Sequence, residues 1–235
     1  MSTKSIRTLL SIAGLALLAN AATAQVLPPP QNVLQLQATG TVEVQQDLLQ
    51  MSLGAARDGA DPAAVQSQLR SALDAALAEA KKTAQPGQMD VRTGNFAIYP
   101  RHNRDGRIAG WTGSAELVLE GRDFPRITQA AARVQTMTLN GVSFGLSREQ
   151  RARVEVEAQA QAIERFQSRA TELAKAFGFG GYALREVAVN TNEPGFAPRM
   201  RMAAAEAKLA SAEPVPVEPG RSTVTVTVSG SVQLR

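Results

Sequence analysis

Ser143 lies in the segment Gly141-Val-Ser-Phe-Gly145, which matches the G-x-S-x-G motif of serine hydrolases. In those enzymes a histidine that follows the serine in the chain takes its proton before attack on an acyl carbon. The only histidine here is His102, which precedes Ser143 and falls in a predicted hairpin tip. Because no general base stands where the motif needs one, we predict no catalytic residues and expect Ser143 in a short strand, facing solvent or a neighbouring backbone.

A second glycine pattern, Gly178-x-Gly180-x-x-Ala183, is similar to a dinucleotide-binding fingerprint. That fingerprint follows a strand and opens a helix, so that a pyrophosphate can sit at the helix N-terminus. Here the pattern follows a helical segment and leads into a strand. We therefore predict a helix C-cap at Gly178, with no cofactor and no cofactor-binding residues.

Metal-ligating residue types are scarce. The chain has one histidine and no cysteine, so a zinc or copper site would have to rely on carboxylates. Its aspartates and glutamates do not follow the spacing of a calcium-binding loop. We predict no metal site.

A basic cluster occupies the segment from 101 to 107, where Arg101, His102, Arg104 and Arg107 lie close together. Such a cluster can contact anionic lipid headgroups, with each basic residue contributing about 1 kcal/mol. Asp105 lies inside the cluster, and salt screens so few charges. A solvated hairpin tip is the favoured interpretation, and an anionic lipid surface stays open as a partner.

The first 24 residues have the three parts of a cleaved export signal: Lys4 and Arg7, an apolar run over 8–19, and Ala22-Thr-Ala24 before the cleavage point. That run is shorter than the roughly 20 residues needed to span a bilayer. We expect a mature N-terminus at Gln25 and a periplasmic location, with secretion or association with the outer membrane as open alternatives. The predicted organisation is a signal peptide at 1–24, a linker at 25–33, and one domain at 34–235 with a mobile loop at 192–219.

The charge balance gives little reason to expect nucleic acid as a partner. Removing Lys4 and Arg7 from the 25 basic residues leaves 23 against 21 acidic ones. Aromatic residues make up only 4% of the chain, too few for a base-stacking platform. With no cysteine, disulfides cannot contribute, so burial of apolar side chains must stabilise the fold.

Apolar residues that alternate with polar ones predict strands at 34–44, 49–55, 182–189 and 223–234. Gln46-Asp47 is interpreted as a turn between the first two strands, paired antiparallel. Two further strands at 91–99 and 108–120 predict a hairpin with a long tip, and a brief strand ends near Leu146. Gly40 and Gly230 fall on apolar strand faces, where a helix can approach closely.

Helical spacing appears in three segments. Asp61-Pro62 begins the first helix, and Asp123 begins a short second one. Ser147-Arg-Glu-Gln150 is a capping-box pattern that opens the longest helix. Its predicted apolar stripe consists of Ala152, Val156, Ala160, Ile163, Phe166, Ala170, Leu173 and Phe177. Strands and helices intermix without strict alternation, so we predict an α+β fold in which mostly antiparallel sheets pack against a few helices, one of them long.

Several of these segments resemble the SIMPL-domain family over nearly all of the mature chain. The resemblance rests on 38–44, 51–54, Ile98-Tyr-Pro100, Ile108-Ala-Gly-Trp-Thr112, 173–178 and Pro219-Gly220. Gln46-Asp47 replaces the family's usual Pro-Asp, and Trp111 replaces a usual tyrosine. The resemblance implies an exported or periplasmic protein associated with oxidative-stress tolerance, in a family of which some members form oligomers. It supplies no catalytic residues.

We therefore expect a non-enzymatic periplasmic protein that forms a homo-oligomer or binds an envelope protein. Two alternatives remain open. One is an enzyme of unrecognised type. The other is a lipid- or oxidant-handling accessory protein, in which Met200 and Met202 would serve as oxidant targets.

Overall fold

The computed structural model describes residues 31–192 and 215–235. Within these ranges the elements are β1 Val33–Gln45, β2 Leu48–Gly59, α1 Pro62–Lys81, β3 Asp90–His102, β4 Ile108–Gly121, α2 Phe124–Arg133, β5 Thr138–Gly145, α3 Arg148–Ala176, β6 Tyr182–Asn192 and β7 Arg221–Leu234. The strands form two antiparallel sheets, ordered β1-β7-β6 and β3-β4-β2-β5. This arrangement confirms the α+β prediction, including the long helix α3 of 29 residues.

The three-stranded sheet is built around β7, the last strand, which pairs with β1 on one side and β6 on the other. Its valines at 224, 226, 228 and 232 are buried beneath α3, because alternate side chains of a strand point to the same face. The threonines and serines between them lie on the opposite face. The alternation in the sequence therefore predicted correctly which face of β7 is buried.

The segment Gln46-Asp47 is not a hairpin turn, so this prediction was wrong. β1 belongs to the three-stranded sheet and β2 to the four-stranded sheet, and the chain crosses from one to the other at these two residues. A period-two pattern defines the buried face of a strand but does not identify its partner. The partner of β1 is β7, at the other end of the chain.

Helices α1 and α2 cover one face of the four-stranded sheet. The core between them contains Leu49, Met51 and Leu53 of β2, packed with Leu69 of α1 and Ile127 of α2. All five side chains are at most 2% exposed. The predicted hairpin of β3 and β4 is confirmed.

Both predicted aspartate N-caps are present. Asp61 accepts hydrogen bonds from Ala63 N and Ala64 N at 3.3 and 3.0 Å. Asp123 accepts from Arg126 N at 3.0 Å. This backbone hydrogen bond, with the Arg126 guanidinium beside it, lowers the pKa of the Asp123 carboxyl below its usual 3.8.

The predicted apolar stripe of α3 is wrong in its first half and at its end. Val156 and Phe177 are 69% and 61% exposed. In the first half of the helix, the predicted positions Ala152, Val156 and Ala160 each lie two residues before a buried position. The buried face is lined mostly by alanines, and the backbone of Ala158 comes close to the sheet at Gly40. The buried residues are Val154, Ala158, Ala162, Phe166, Ala170 and Ala174.

The two strand glycines have different roles. A Cβ at Gly40 would clash with the carbonyl oxygen of Ala158, so the predicted close approach of a helix is confirmed there. A Cβ at Gly230 would instead clash with the carbonyl oxygen of Glu186 on β6, where the pairing of β6 and β7 is irregular. The prediction of a helix contact was wrong for Gly230, which accommodates a neighbouring strand.

Some predictions fall outside the described residues. They are the signal peptide at 1–24, most of the linker at 25–33, most of the loop at 192–219, and the methionines Met200 and Met202. Among the residues that are described, no helix combines the length and the hydropathy needed to cross a membrane.

Candidate functional site

Ser143 lies inside β5 rather than at a strand-to-helix elbow. Its Oγ donates a hydrogen bond to Oε1 of Gln50 on β2 at 3.3 Å. His102 ends β3, and the sheet order places β4 and β2 between β3 and β5, so the structure does not bring these two residues together. The cavity beside Ser143 measures about 20 Å³, far below the roughly 300 Å³ or more of a typical ligand pocket. The geometry supports the interpretation of Ser143 as a strand residue.

Gly178 terminates α3 with a φ of +83°, in the left-handed region that favours glycine. Gly178 N donates to Lys175 O at 3.0 Å, and Phe179 N donates to Ala174 O at 2.9 Å. This pair of bonds is the Schellman motif of helix ends. The prediction of a C-cap is confirmed, and the glycine pattern is explained without a nucleotide.

Within the ranges 31–192 and 215–235, the acidic side chains are dispersed. No group of three or more histidine, cysteine, aspartate or glutamate side chains lies close enough in these ranges to hold a metal ion. Several carboxylates instead pair with arginines, as Asp58 does with Arg101 at 3.8 Å.

The predicted basic cluster lies at the tip of the β3–β4 hairpin, and all its members are exposed. The tip is held by Asn103, whose Oδ1 accepts hydrogen bonds from the backbone N–H groups of Asp105 and Arg107 at 3.0 and 2.9 Å. Two exposed apolar side chains flank it, Tyr99 at 60% and Ile108 at 57%. The tip thus combines positive charge with accessible apolar surface.

Asp47 joins three parts of the fold at a site we call the crossover junction, formed by Asp47, Ser147 and Arg122. Ser147 N and Ser147 Oγ donate to the two carboxylate oxygens at 2.7 and 2.6 Å. Arg122 Nε lies 3.4 Å from Asp47 Oδ2. Ser147 Oγ also accepts from Gln150 N at 3.2 Å, so that half of the predicted capping box is confirmed. In the other half, Asp47 takes the place predicted for the Gln150 side chain.

A groove lies between the outer edge of β1 and α3, and we call it the β1–α3 groove. It has a volume of about 530 Å³. Arg165 reaches across from the helix, and its Nη1 donates to Thr39 O at 2.6 Å. The residues that line the groove are Gln35, Leu36, Gln37, Ala38, Thr39, Arg165 and Arg169.

The other edge of the same sheet, β6, is largely uncovered. Leu184, Val187 and Val189 are 55%, 46% and 45% exposed, and we call their surface the open face of β6. They pair with Val232, Gly230 and Val228 of β7, so they lie on the side of the sheet that α3 covers elsewhere. Because α3 packs mainly on β1 and β7 and makes little contact with β6, no helix of the described residues covers this apolar surface.

Sequence reasoning did not find the crossover junction, the β1–α3 groove or the open face of β6. Asp47 was interpreted as a turn residue. The Arg165 and Arg169 pair, four residues apart, indicates a shared helix face, but no pattern shows which strand lies beside it.

The sequence is similar to a known protein family. A family model named SIMPL, described as a protein of unknown function (DUF541), matches residues 34–232. A comparison with curated proteins found no match. The match spans both sheets and all three helices described above, and it agrees with the resemblance noted in the sequence. The chain therefore belongs to the SIMPL family.

Proposed function

We propose that this chain is an exported, non-enzymatic protein of the periplasm that works by self-assembly, and that the open face of β6 is the surface through which two copies meet. We also propose that the oxidative-stress tolerance implied by the family resemblance depends on this assembly. The observation that carries this proposal is the exposure of Leu184, Val187 and Val189 together on one edge strand.

An edge strand exposes unpaired backbone N–H and C=O groups, and folded proteins usually protect such an edge with charges, bulges or covering elements. β6 carries a register irregularity and a charged pair, Arg185 and Glu186, near its middle. Its apolar side chains are nevertheless accessible. Such a surface suits a partner that supplies both a strand and an apolar face.

A second copy of β6 fits this requirement by symmetry, because a two-fold axis pairs a strand antiparallel with itself. With the axis between Arg185 and Glu186, the arginine of each copy lies opposite the glutamate of the other. The same register sets Leu184 opposite Val187. Apolar residues then meet on one face and opposite charges on the other.

The test is light scattering on purified protein, comparing wild type with Val187→Lys/Val189→Lys. We expect wild type to form a dimer or a larger assembly, and the variant to be monomeric because two ammonium groups per copy cannot be buried without partners. Val156→Lys is the matched control, since Val156 is an exposed valine on the outer side of α3. A monomeric wild type, or an assembled double variant with a normal circular dichroism spectrum, would contradict the proposal.

The hairpin tip favours a second candidate function, contact with an anionic lipid surface. Tyr99 and Ile108 are exposed beside Arg104 and Arg107, which is the combination of apolar and basic groups that binds membrane interfaces. Flotation with phosphatidylglycerol and phosphatidylcholine vesicles tests it. We expect binding to the anionic vesicles alone, with loss in Arg104→Gln/Arg107→Gln.

A further inference from the structure

The backbone of β1 presents to the β1–α3 groove a row of hydrogen-bonding groups that no described strand pairs with. Within the described part of the chain, β7 is the one strand paired with β1. Thr39 O accepts a hydrogen bond from Arg165 of α3, which shows that this carbonyl group points away from β7. Successive residues of an antiparallel strand direct their backbone groups to opposite sides. The N–H and C=O groups of Gln35, Gln37 and Thr39 therefore point outward along this edge.

The groove is positively charged. Arg165 and Arg169 lie one helical turn apart on its helix side, and no acidic side chain is among its lining residues. Glu164 and Glu172 line an adjoining hollow on α3 that shares the two arginines, and they are not part of the groove lining. The Arg165 guanidinium bonds to a neutral carbonyl oxygen, a weaker partner than a carboxylate.

We propose that the β1–α3 groove is a binding site for an extended peptide that carries carboxylates. The peptide adds to the outer edge of β1 as a fourth strand of the three-stranded sheet, and Arg165 and Arg169 bind its acidic groups. Strand addition to an exposed edge supplies affinity through main-chain hydrogen bonds, and pockets for alternate side chains supply specificity. As the peptide docks, Arg165 releases Thr39 O, which then accepts from a peptide N–H.

The faces of β1 define the peptide sequence that fits. Leu36 and Ala38 lie on the side of β1 that α3 covers, whereas the side chains of Gln35 and Gln37 are exposed on the opposite side. A docked strand alternates in the same way. Every second peptide residue therefore lies beside Leu36, Ala38 and the two arginines, and we expect glutamate or aspartate at those positions.

This site goes beyond the proposed self-assembly, since β1 and β6 are opposite edges of the sheet. The readouts are separate as well. Failure of the assembly proposal appears as an unchanged particle mass in the β6 variant. Failure of the groove proposal appears as absent peptide binding.

The experiment is fluorescence anisotropy with the whole protein and a labelled, C-terminally amidated eight-residue peptide of alternating threonine and glutamate. We expect saturable binding. A peptide with glutamine in place of glutamate should bind at least about tenfold more weakly, since its groups are neutral. A peptide that keeps every charge but is N-methylated at alternate residues should not bind, because it cannot pair with β1. If the same peptide binds with a free C-terminal carboxylate but not when amidated, the arginines recognise the terminal carboxylate. That result would still support the site.

Protein variants localise the binding. Arg165→Gln/Arg169→Gln should weaken peptide binding by at least about tenfold, and each tenfold change in affinity corresponds to about 1.4 kcal/mol. Arg153→Gln is the matched control, an exposed arginine on α3 outside the groove, and should leave affinity within about twofold. Equal binding of the N-methylated peptide would overturn the proposal in favour of simple charge attraction. Absent peptide binding, with aggregation of the double arginine variant, would assign the arginines to protection of the β1 edge and also overturn it.

Discussion

Replacement of Asp47 should destabilise the protein strongly, because this carboxylate ties the start of α3 to the crossing between the sheets. Asp47→Ala removes two hydrogen bonds from Ser147 and the ion pair with Arg122. A hydrogen bond to a charged group contributes about 1.5 to 3 kcal/mol, and a partly exposed ion pair about 0 to 1 kcal/mol. The two bonds and the ion pair together predict that the free energy of unfolding falls by about 3 to 7 kcal/mol, and by roughly half as much in Asp47→Asn, which keeps one acceptor oxygen.

Urea denaturation followed by circular dichroism measures this loss. Asp58→Ala is the matched control, because Asp58 is 64% exposed and pairs with Arg101 at 3.8 Å. Asp58→Ala should lower the free energy of unfolding by no more than about 1 kcal/mol. A double-mutant cycle between Asp47→Ala and Ser147→Ala should show coupling of at least about 1 kcal/mol. If Asp47→Ala costs no more than the control, the crossover junction does not stabilise the fold and the reasoning is refuted.

Four further predictions rest on other parts of the chain. Gly40→Ala should lower the urea midpoint, at a cost of about 1 to 3 kcal/mol for overpacking, whereas Gly145→Ala, where an added Cβ meets open space, should not. Truncation after Arg221 removes five buried side chains of β7, worth about 7 to 15 kcal/mol, so circular dichroism should show no cooperative unfolding. The Asp123 carboxylate should stabilise the protein above pH 3.8, its usual pKa, and lose this contribution as the pH falls through its lowered folded pKa. The stability difference between wild type and D123A should therefore shrink on acidification. Mass spectrometry of protein recovered from an exporting host should show an N-terminus at Gln25, and an intact Met1 would disprove the signal prediction.

Local features of the fold were predictable because their causes are local. Asp61 and Asp123 cap their helices through backbone groups two or three residues away, so a short stretch of sequence contains the whole interaction. The hairpin of β3 and β4 is similar, since its strands are close in the chain and turn-forming residues separate them. The buried face of β7 followed from alternation alone.

Features that depend on distant partners were not predictable in this way. Alternation in β1 gave its buried face but not its neighbour, and the nearest candidate, β2, proved to belong to the other sheet. For α3, the pattern predicted a helix, but the first half of the predicted stripe is displaced by two residues from the buried face. Val156 is large and exposed, whereas Ala158 is small and buried because Gly40 lets the helix backbone come close.

The candidate sites show the same division. Arginines four residues apart on a helix are visible in the sequence, but their use depends on which strand edge lies beside them. A ligand for Arg165 and Arg169 can be proposed only when β1 is known to be an edge strand. The apolar pattern of β6 likewise predicted a strand and did not reveal that α3 leaves it uncovered.

The most direct test of assembly through β6 is a distance between two copies. The chain has no cysteine, so Ala188→Cys allows a single nitroxide label on β6, with Val156→Cys as the control label on α3. In the proposed register, residue 188 lies five positions from its symmetry mate along the paired strands, about 15 to 20 Å at roughly 3.4 Å per residue. Pulsed dipolar spectroscopy should give a distance distribution centred near that value, with a width set by the label arms. The control label should give a longer mean distance. Assembled protein without short dipolar coupling at position 188 would show that β6 is not the interface.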